Sequence, residues 1–296
     1  MVRVWILGVA LLASACTAAG APTSKSVVET TTTGSPGTTT TVEPATTTTS
    51  TLPTGPVHGG TVKIGINAEL VAGRLDGEGR HLPATLNPLL RGSDSDEIAR
   101  LVIPGVFRID AATGELTPWL VERIPRLGDG VEVASDGTVT VTYQIRDEAV
   151  WDDGTPVTGA DLAFTHKLIV ADAENMSDGF LAETHALIDT ESIRVEGKTF
   201  TANLVRSDPA YETLFKWVLP AHLIDPDTFL DDWNDKLWPS AGPFRFVSFE
   251  LDREFNTEPS IVTLERNPNY WETDPVTGDS VPYLDGVEFY VFPAGP

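Results

Sequence analysis

Trp151-Asp152-Asp153-Gly154-Thr155-Pro156-Val157-Thr158-Gly159-Ala160-Asp161 runs from a strand through a tight turn into a helix, and each residue type in it has a local physical reason. Upstream, Val139, Val141, Tyr143 and Ile145 alternate with Thr140, Thr142, Gln144 and Arg146, the period of a strand with one buried face. Asp153-Gly154 supplies the turn, because glycine reaches positive φ without steric cost. Pro156 fixes an extended approach to the helix. Thr158 followed three residues later by Asp161 has the spacing of a capping box, with Asp where Glu or Gln is usual. Ala160, Ala163, Phe164, Leu168 and Ala171 then recur at helical spacing. The stretch predicts a strand, a turn and a helix, and nothing in it calls for catalysis.

The same reading extends outward from that corner. Residues 61–66 read as a strand and 95–102 as a short helix, with Pro104 just beyond. Phe107–Ile109 and Leu116 flank a turn at 110–114. Residues 192–195 and Thr199–Leu204 are strands around Glu196-Gly197-Lys198, and 211–218 reads as a helix stopped by Pro220. Residues 244–249 and 261–266 pair as strands, and 287–292 adds one more. There is no internal repeat, coiled coil or second hydrophobic span. The fold class is α/β with irregular strand order, in one large domain or two smaller ones.

Several segments resemble, in order, the family 5 extracellular solute-binding proteins, the peptide and nickel binders of ABC importers. The corner resembles their signature of a Trp, Asp-Gly-x-Pro and Thr-Ala-x-Asp-Val, with Gly159 where Ala is usual and Leu162 where Val is usual. Also similar are Leu86-Asn87-Pro88-Leu89, Thr113-Gly114-Glu115-Leu116-Thr117-Pro118-Trp119-Leu120, Leu219-Pro220-Ala221-His222, Gly242-Pro243-Phe244-Arg245, Leu264-Glu265-Arg266-Asn267-Pro268-Asn269-Tyr270-Trp271 and Pro282-Tyr283-Leu284-Asp285-Gly286. The resemblance implies a periplasmic-binding-protein-like α/β fold of the large peptide-binding class (type II). Family members are longer, so 59–296 is expected to be the N-terminal part of the domain: the first lobe without most of the second. Capture in the family proceeds by closing two lobes over a cleft.

The first residues have Arg3, an apolar run over 4–13 and small residues up to Cys16, the single cysteine of the chain. An apolar run that short suits a signal peptide, residues 1–15, better than a membrane span of about 20 residues. Ala13-Ser14-Ala15-Cys16 resembles a bacterial lipobox, which implies lipidation of Cys16. Residues 16–58 are rich in Thr, Pro, Ser, Ala and Gly and poor in large apolar side chains. Such a segment buries too little surface to offset the entropy of ordering. It is expected to be a flexible stalk, with threonines open to O-glycosylation and an r.m.s. reach of about 35 Å.

Asp and Glu number 43 against 20 Lys and Arg, a formal net charge of −23, so the surface repels nucleic acid and anionic lipid head groups. The five histidines, His58, His81, His166, His185 and His222, lack the three- or four-residue spacing of a helical metal site. His166 is expected to pack or face solvent, and His222 to make a structural hydrogen bond. The pairs Asp152-Asp153 and Asp231-Asp232 suit turn and solvated roles. No nucleophile elbow, phosphate loop or calcium loop is present. No catalytic residue, metal or cofactor is expected.

From the resemblance, ligand contacts are carried to Glu69, after the first strand, to Asn87, which either caps a helix start or lines the cleft, and to Phe180 as an aromatic wall. Trp151, Asp153, Gly154, Pro156, Thr158 and Asp161 are expected to be structural, as are Tyr270 and Trp271. The implied function is a lipid-anchored substrate-binding protein outside the cell membrane. It would deliver an oligopeptide, or a nickel chelate or sugar, to ABC permease subunits with their ATPase. The rivals are a non-transport surface module that keeps a solute-binding lobe and, more weakly, an extracellular hydrolase.

Overall fold

The computed structural model describes residues 55–67, 86–89, 95–171, 173, 179–233, 236–250 and 259–292. Residues 1–54, on which the expected signal peptide, Cys16 and most of the expected stalk fall, and Glu69 lie outside the described residues. Residues Val57–Pro296 form one compact unit.

In chain order the strands are β1 (Thr61–Asn67), β2 (Phe107–Ile109), β3 (Leu116–Pro118), β4 (Arg126–Leu127), β5 (Gly130–Val133), β6 (Val139–Gln144), β7 (Arg194–Glu196), β8 (Thr199–Leu204), β9 (Phe244–Glu250), β10 (Ser260–Arg266) and β11 (Gly286–Phe292). The α-helices are α1 (Asp96–Ala99), α2 (Gly159–Ala171), α3 (Gly179–His185) and α4 (Phe229–Asp232). Among the described residues no helix is long and apolar enough to cross a membrane.

Two larger sheets organise the molecule. The first has the order β1-β11-β10-β9, and the second β4-β5-β6-β8-β7. β1 lies parallel to β11, with Thr61 opposite Gly286 and Asn67 opposite Phe292. The first and last described strands are thus neighbours. β6 alternates buried and half-buried residues, as its sequence period requires, and β8 answers with Phe200, Ala202 and Leu204 on the same face. Each sheet covers its own apolar cluster. One joins Val62, Ile64, Val262, Leu264, Val287 and Phe289 to α1 and the Trp233–Trp238 region; the other surrounds Tyr143, Trp151, Phe200 and Phe215.

The helix expected over 211–218 is not there. A 3-10 helix spans Pro209–Thr213, capped by Asp208, and Phe215 then adopts φ 60, rare for a bulky side chain. Tertiary packing overrides the local periodicity. Val106 N–H donates to Phe215 O and Val218 N–H to Pro104 O, so this segment pairs with 104–106 instead of with itself. Gly105 lets the backbones approach, since a Cβ there would overlap the carbonyls of Lys216 and Phe215. Phe215 is fully buried, edge-on to Tyr143 and Phe200 at ring separations of 5.4 and 5.3 Å.

Two hairpin turns are built alike. Asp110 Oδ1 accepts from Ala112 and Thr113 N–H, and Asp274 Oδ1 accepts from Val276 and Thr277 N–H. In both turns the glycine, Gly114 or Gly278, has positive φ and donates back to the Asp carbonyl. The likeness is one of turn chemistry, Asp-x-x-Thr-Gly with an acid next, and not of a repeated domain unit.

Candidate functional site: the signature corner and the sheet end

The predicted corner forms. Trp151 N–H donates to Thr155 O, Gly154 N–H to Trp151 O, and Thr155 N–H to Asp153 Oδ1 at 2.8 Å. Gly154 has φ 86, which fits the glycine requirement of this turn. Pro156 bridges back to Val150, and Trp151 is fully buried. At the start of α2, Asp161 Oδ2 accepts from Thr158 N–H at 2.7 Å, and Thr158 Oγ1 accepts from Ala160 N–H at 3.3 Å. The Asp161 arm of the capping box is present, with Asp replacing Glu, whereas the Thr158 hydroxyl caps Ala160 N–H and Asp161 N–H turns to the Thr158 carbonyl.

What local spacing did not reveal is the second use of these residues. Asp161 Oδ1 accepts from Ala221 N–H at 2.9 Å, and Thr165 Oγ1 accepts from Leu219 N–H at 2.9 Å while donating to Asp161 O. The Leu219-Pro220-Ala221-His222 motif is therefore strapped to the buried face of α2. His222 Nε2 lies 2.8 Å from Asp153 Oδ2, which gives that histidine the structural hydrogen bond expected of it. Burial pushes the Asp161 carboxyl up, opposed by the N–H groups of Thr158 and Ala221. At Asp153 burial pulls the same way, but the Thr155 N–H and His222 outweigh it and hold the carboxyl low. Asn269 Nδ2 donates to Asp152 O at 2.8 Å, joining the corner to the Asn267–Trp271 segment.

The buried face of α2 differs from the apolar pattern in the sequence. Ala160 and Ala171 are exposed, whereas Gly159, Asp161, Leu162, Thr165, His166, Leu168 and Ile169 are buried. Polar residues occupy that face because each has a partner there. Gly159 also acquires a reason: a Cβ would stand 2.6 Å from Thr199 O, where the β7–β8 turn presses on the helix start. This explains Gly at a position where the family signature has Ala.

A second strut links the β2–β3 hairpin to the segment before β11. Arg108 Nη1 meets Glu272 Oε2 at 2.7 Å, Trp119 Nε1 donates to Tyr270 OH at 3.0 Å, and Tyr270 OH donates to Glu272. Burial raises the Tyr270 phenol far above its ordinary value, with the Glu272 charge adding to it. Tyr270 is thus a hydrogen-bonded packing residue, as read from the sequence.

The three ligand-contact candidates are not brought together by described side chains. Asn87 is fully buried, and its Oδ1 accepts from Leu89 N–H at 3.0 Å, so it shapes its own turn. Phe180 belongs to α3, with its side chain outside the described residues, and Glu69 lies outside them altogether. In sequence Glu69 follows the carboxyl end of β1, which lies beside the end of β11. Ligands of open α/β sheets bind outside such strand ends. Among the described residues no three His, Cys, Asp or Glu are grouped to hold a metal ion.

Comparison with known proteins agrees with this architecture. The probable monoacyl phosphatidylinositol tetramannoside-binding protein LpqW of Mycobacterium tuberculosis is 28% identical over 195 residues, 64% of this chain and 28% of that protein. The oligopeptide-binding protein OppA of Mycobacterium bovis is 31% identical over 200 residues, 60% of this chain and 32% of that protein. This chain thus spans about a third of the length of these relatives. Among solved structures, the periplasmic EDTA-binding protein EppA superposes with a TM-score of 0.59 at 23% identity, over 80% of this chain and 40% of that one. The oligopeptide-binding protein AppA of Bacillus subtilis, in complex with a nonapeptide, gives 0.58 at 19% identity, over 80% and 41%. These likenesses show the large peptide-binding, periplasmic-binding-protein-like fold. The family model described as bacterial extracellular solute-binding proteins, family 5 Middle, matches residues 115–295. With the signature corner, its strapped Leu219–His222 motif and the sheets all in place, the chain belongs to the family 5 bacterial extracellular solute-binding proteins.

Proposed function

We propose that this protein is the solute-capturing subunit of an ABC importer and that its ligand is an oligopeptide. The family match over residues 115–295 carries the reading. The peptide assignment is supported by the 31% identity to a relative named as an oligopeptide-binding protein. Residues 1–15 act as a signal peptide, Cys16 carries the lipid, and 16–58 form the stalk that holds the 59–296 domain outside the cell membrane, where permease subunits and their ATPase receive the solute. Glu69 and Phe180 contact the ligand, the carboxylate accepting hydrogen bonds from peptide N–H groups. Asn87 contributes by fixing its own turn through Leu89 N–H. Binding of this kind works by population shift and requires no reacting group.

A thermal-shift and calorimetric screen of short peptides, nickel chelates and oligosaccharides tests the ligand class. A peptide at a hundred times its dissociation constant stabilises the protein by about 2.7 kcal/mol, and Glu69→Gln removes most of that gain. A shift with a chelate or a sugar and none with any peptide overturns the peptide assignment. Labelling cells with an alkyne fatty acid tests the anchor: the label is expected on the wild type and absent from Cys16→Ser.

A further inference from the structure

His166 on α2 and His185 at the end of α3 face each other inside the protein, a pairing that the sequence spacing does not announce. Both rings are buried and stacked, with centroids 5.6 Å apart and planes 22° from parallel. Their Nδ1 atoms are 3.4 Å apart, so one donates to the other. His166 Nε2 lies 2.9 Å from Thr190 Oγ1. His185 Nε2 is buried without a hydrogen-bond partner, and its ring stands edge-on to Phe215 at 5.0 Å.

These contacts select one tautomer of each ring. If His166 donated from Nδ1, neutral His185 would carry its proton on Nε2, a buried N–H with no acceptor. If His185 donates from Nδ1, the orphan atom is a bare lone pair and His166 Nε2–H donates to Thr190 Oγ1. Buried orphan N–H groups are the rarer and costlier defect. The second arrangement therefore holds.

We propose that the His166–His185 contact is an acid-sensitive latch that pins α3 to α2, closed when both rings are neutral and opened by protonation of either. A proton on His166 Nδ1 would set two N–H groups head to head. One on His185 Nε2 would bury a cationic N–H without an acceptor. Among the described residues no carboxylate pairs with either ring. From α2 the next residue, Lys167, is exposed; from α3 Glu183 is exposed and Thr184 is neutral; from the 190–192 turn Thr190 is the contact, and Glu191 is exposed. Asp189 is half-buried and accepts from Glu191 N–H. Phe215 stands edge-on to His185; from the 209–213 turn, which packs on α3, Glu212 is half-buried and the preceding Asp208 accepts from Ala210 N–H; from β7, which packs on α2, Arg194 and Glu196 are exposed. Glu174 and Asp178, between the two helices, lie outside the described residues.

Burial lowers His166 to about 4, and burial together with the His166 charge lowers His185 to about 3, from an ordinary 6.5. Both values are depressed, so the latch is fully closed above the ordinary value and weakens as pH falls from 6.5 towards 4. The inference is independent of whether Phe180, earlier in α3, touches a ligand.

Imidazole nitrogen NMR on the full chain at about pH 7.5 tests the tautomers, with His185 expected to be protonated at Nδ1 and His166 at Nε2. The reverse pattern overturns the proposal without any substitution. Amide exchange, corrected for intrinsic rates, then compares α3 with β10. From about pH 7.5 to about pH 5, opening of α3 is expected to rise roughly thirtyfold if one histidine titrates and up to roughly a thousandfold if both do. The double variant His166→Gln, His185→Phe should abolish that rise. Equal loss of protection in β10, an unchanged α3 in the wild type, or the same rise in the double variant would each sink the latch.

Discussion

Gly159 and Asp161 show how a single position can be governed by something other than its local preference. Helix propensity alone makes Gly159→Ala favourable by up to about 1 kcal/mol. The Cβ would sit 2.6 Å from Thr199 O, and backbone cannot swing aside as a side chain can. Overpacking costs of about 1–3 kcal/mol exceed the propensity gain, so Gly159→Ala is expected to lower the midpoint of urea unfolding. Asp161→Ala removes an acceptor shared by Thr158 and Ala221 N–H. Bonds to a charged acceptor contribute about 1.5–3 kcal/mol each, with some relief where water reaches the freed N–H groups, so a loss of roughly 2–4 kcal/mol is expected by denaturant titration. Asp161→Asn, which keeps one acceptor, should lose less; equal losses would mean that the one bond an amide oxygen can keep contributes nothing.

Between elements, the stability of the contacts rests on polar struts as much as on apolar faces. The β2–β3 hairpin is short, and a hairpin of that size does not stand alone. It is held by Arg108 on Glu272 and by Trp119 on Tyr270. Tyr270→Phe takes away the hydroxyl between Trp119 Nε1 and Glu272 and leaves a buried indole N–H unpaired. The expected cost is about 1–3 kcal/mol, with the earliest rise in amide exchange at β2 and β3. Unchanged exchange in that hairpin would show that the strut is ornamental. The α2–α3 contact is the opposite case, a strut made of two rings that must stay neutral.

For the molecule as a whole, the two apolar clusters are not separable. α2 contributes Leu162 to one and Leu168 and Ile169 to the other, and the 215–219 segment alternates between them. Residues 57–296 are therefore expected to unfold in one transition, with far-ultraviolet dichroism and tryptophan fluorescence coinciding. Two resolved transitions would show that the sheets are independent bodies. Much of this architecture was legible in the residues. The alternation of Val139 to Ile145, the Asp153-Gly154 turn and the Thr158–Asp161 spacing are local signals, and they fixed the corner; ordered motifs then gave the family and its fold. The long-range uses of the same side chains were not legible. Nothing in the spacing says that Asp161 also holds Ala221, that His166 meets His185, or that Phe215 gives up a helix to pair with the chain at Gly105. Sequence period reports which conformations a segment prefers on its own. Which partner a buried polar atom finds, and which preference is overridden to reach it, depends on chain that is distant in sequence and close only after the sheets have assembled.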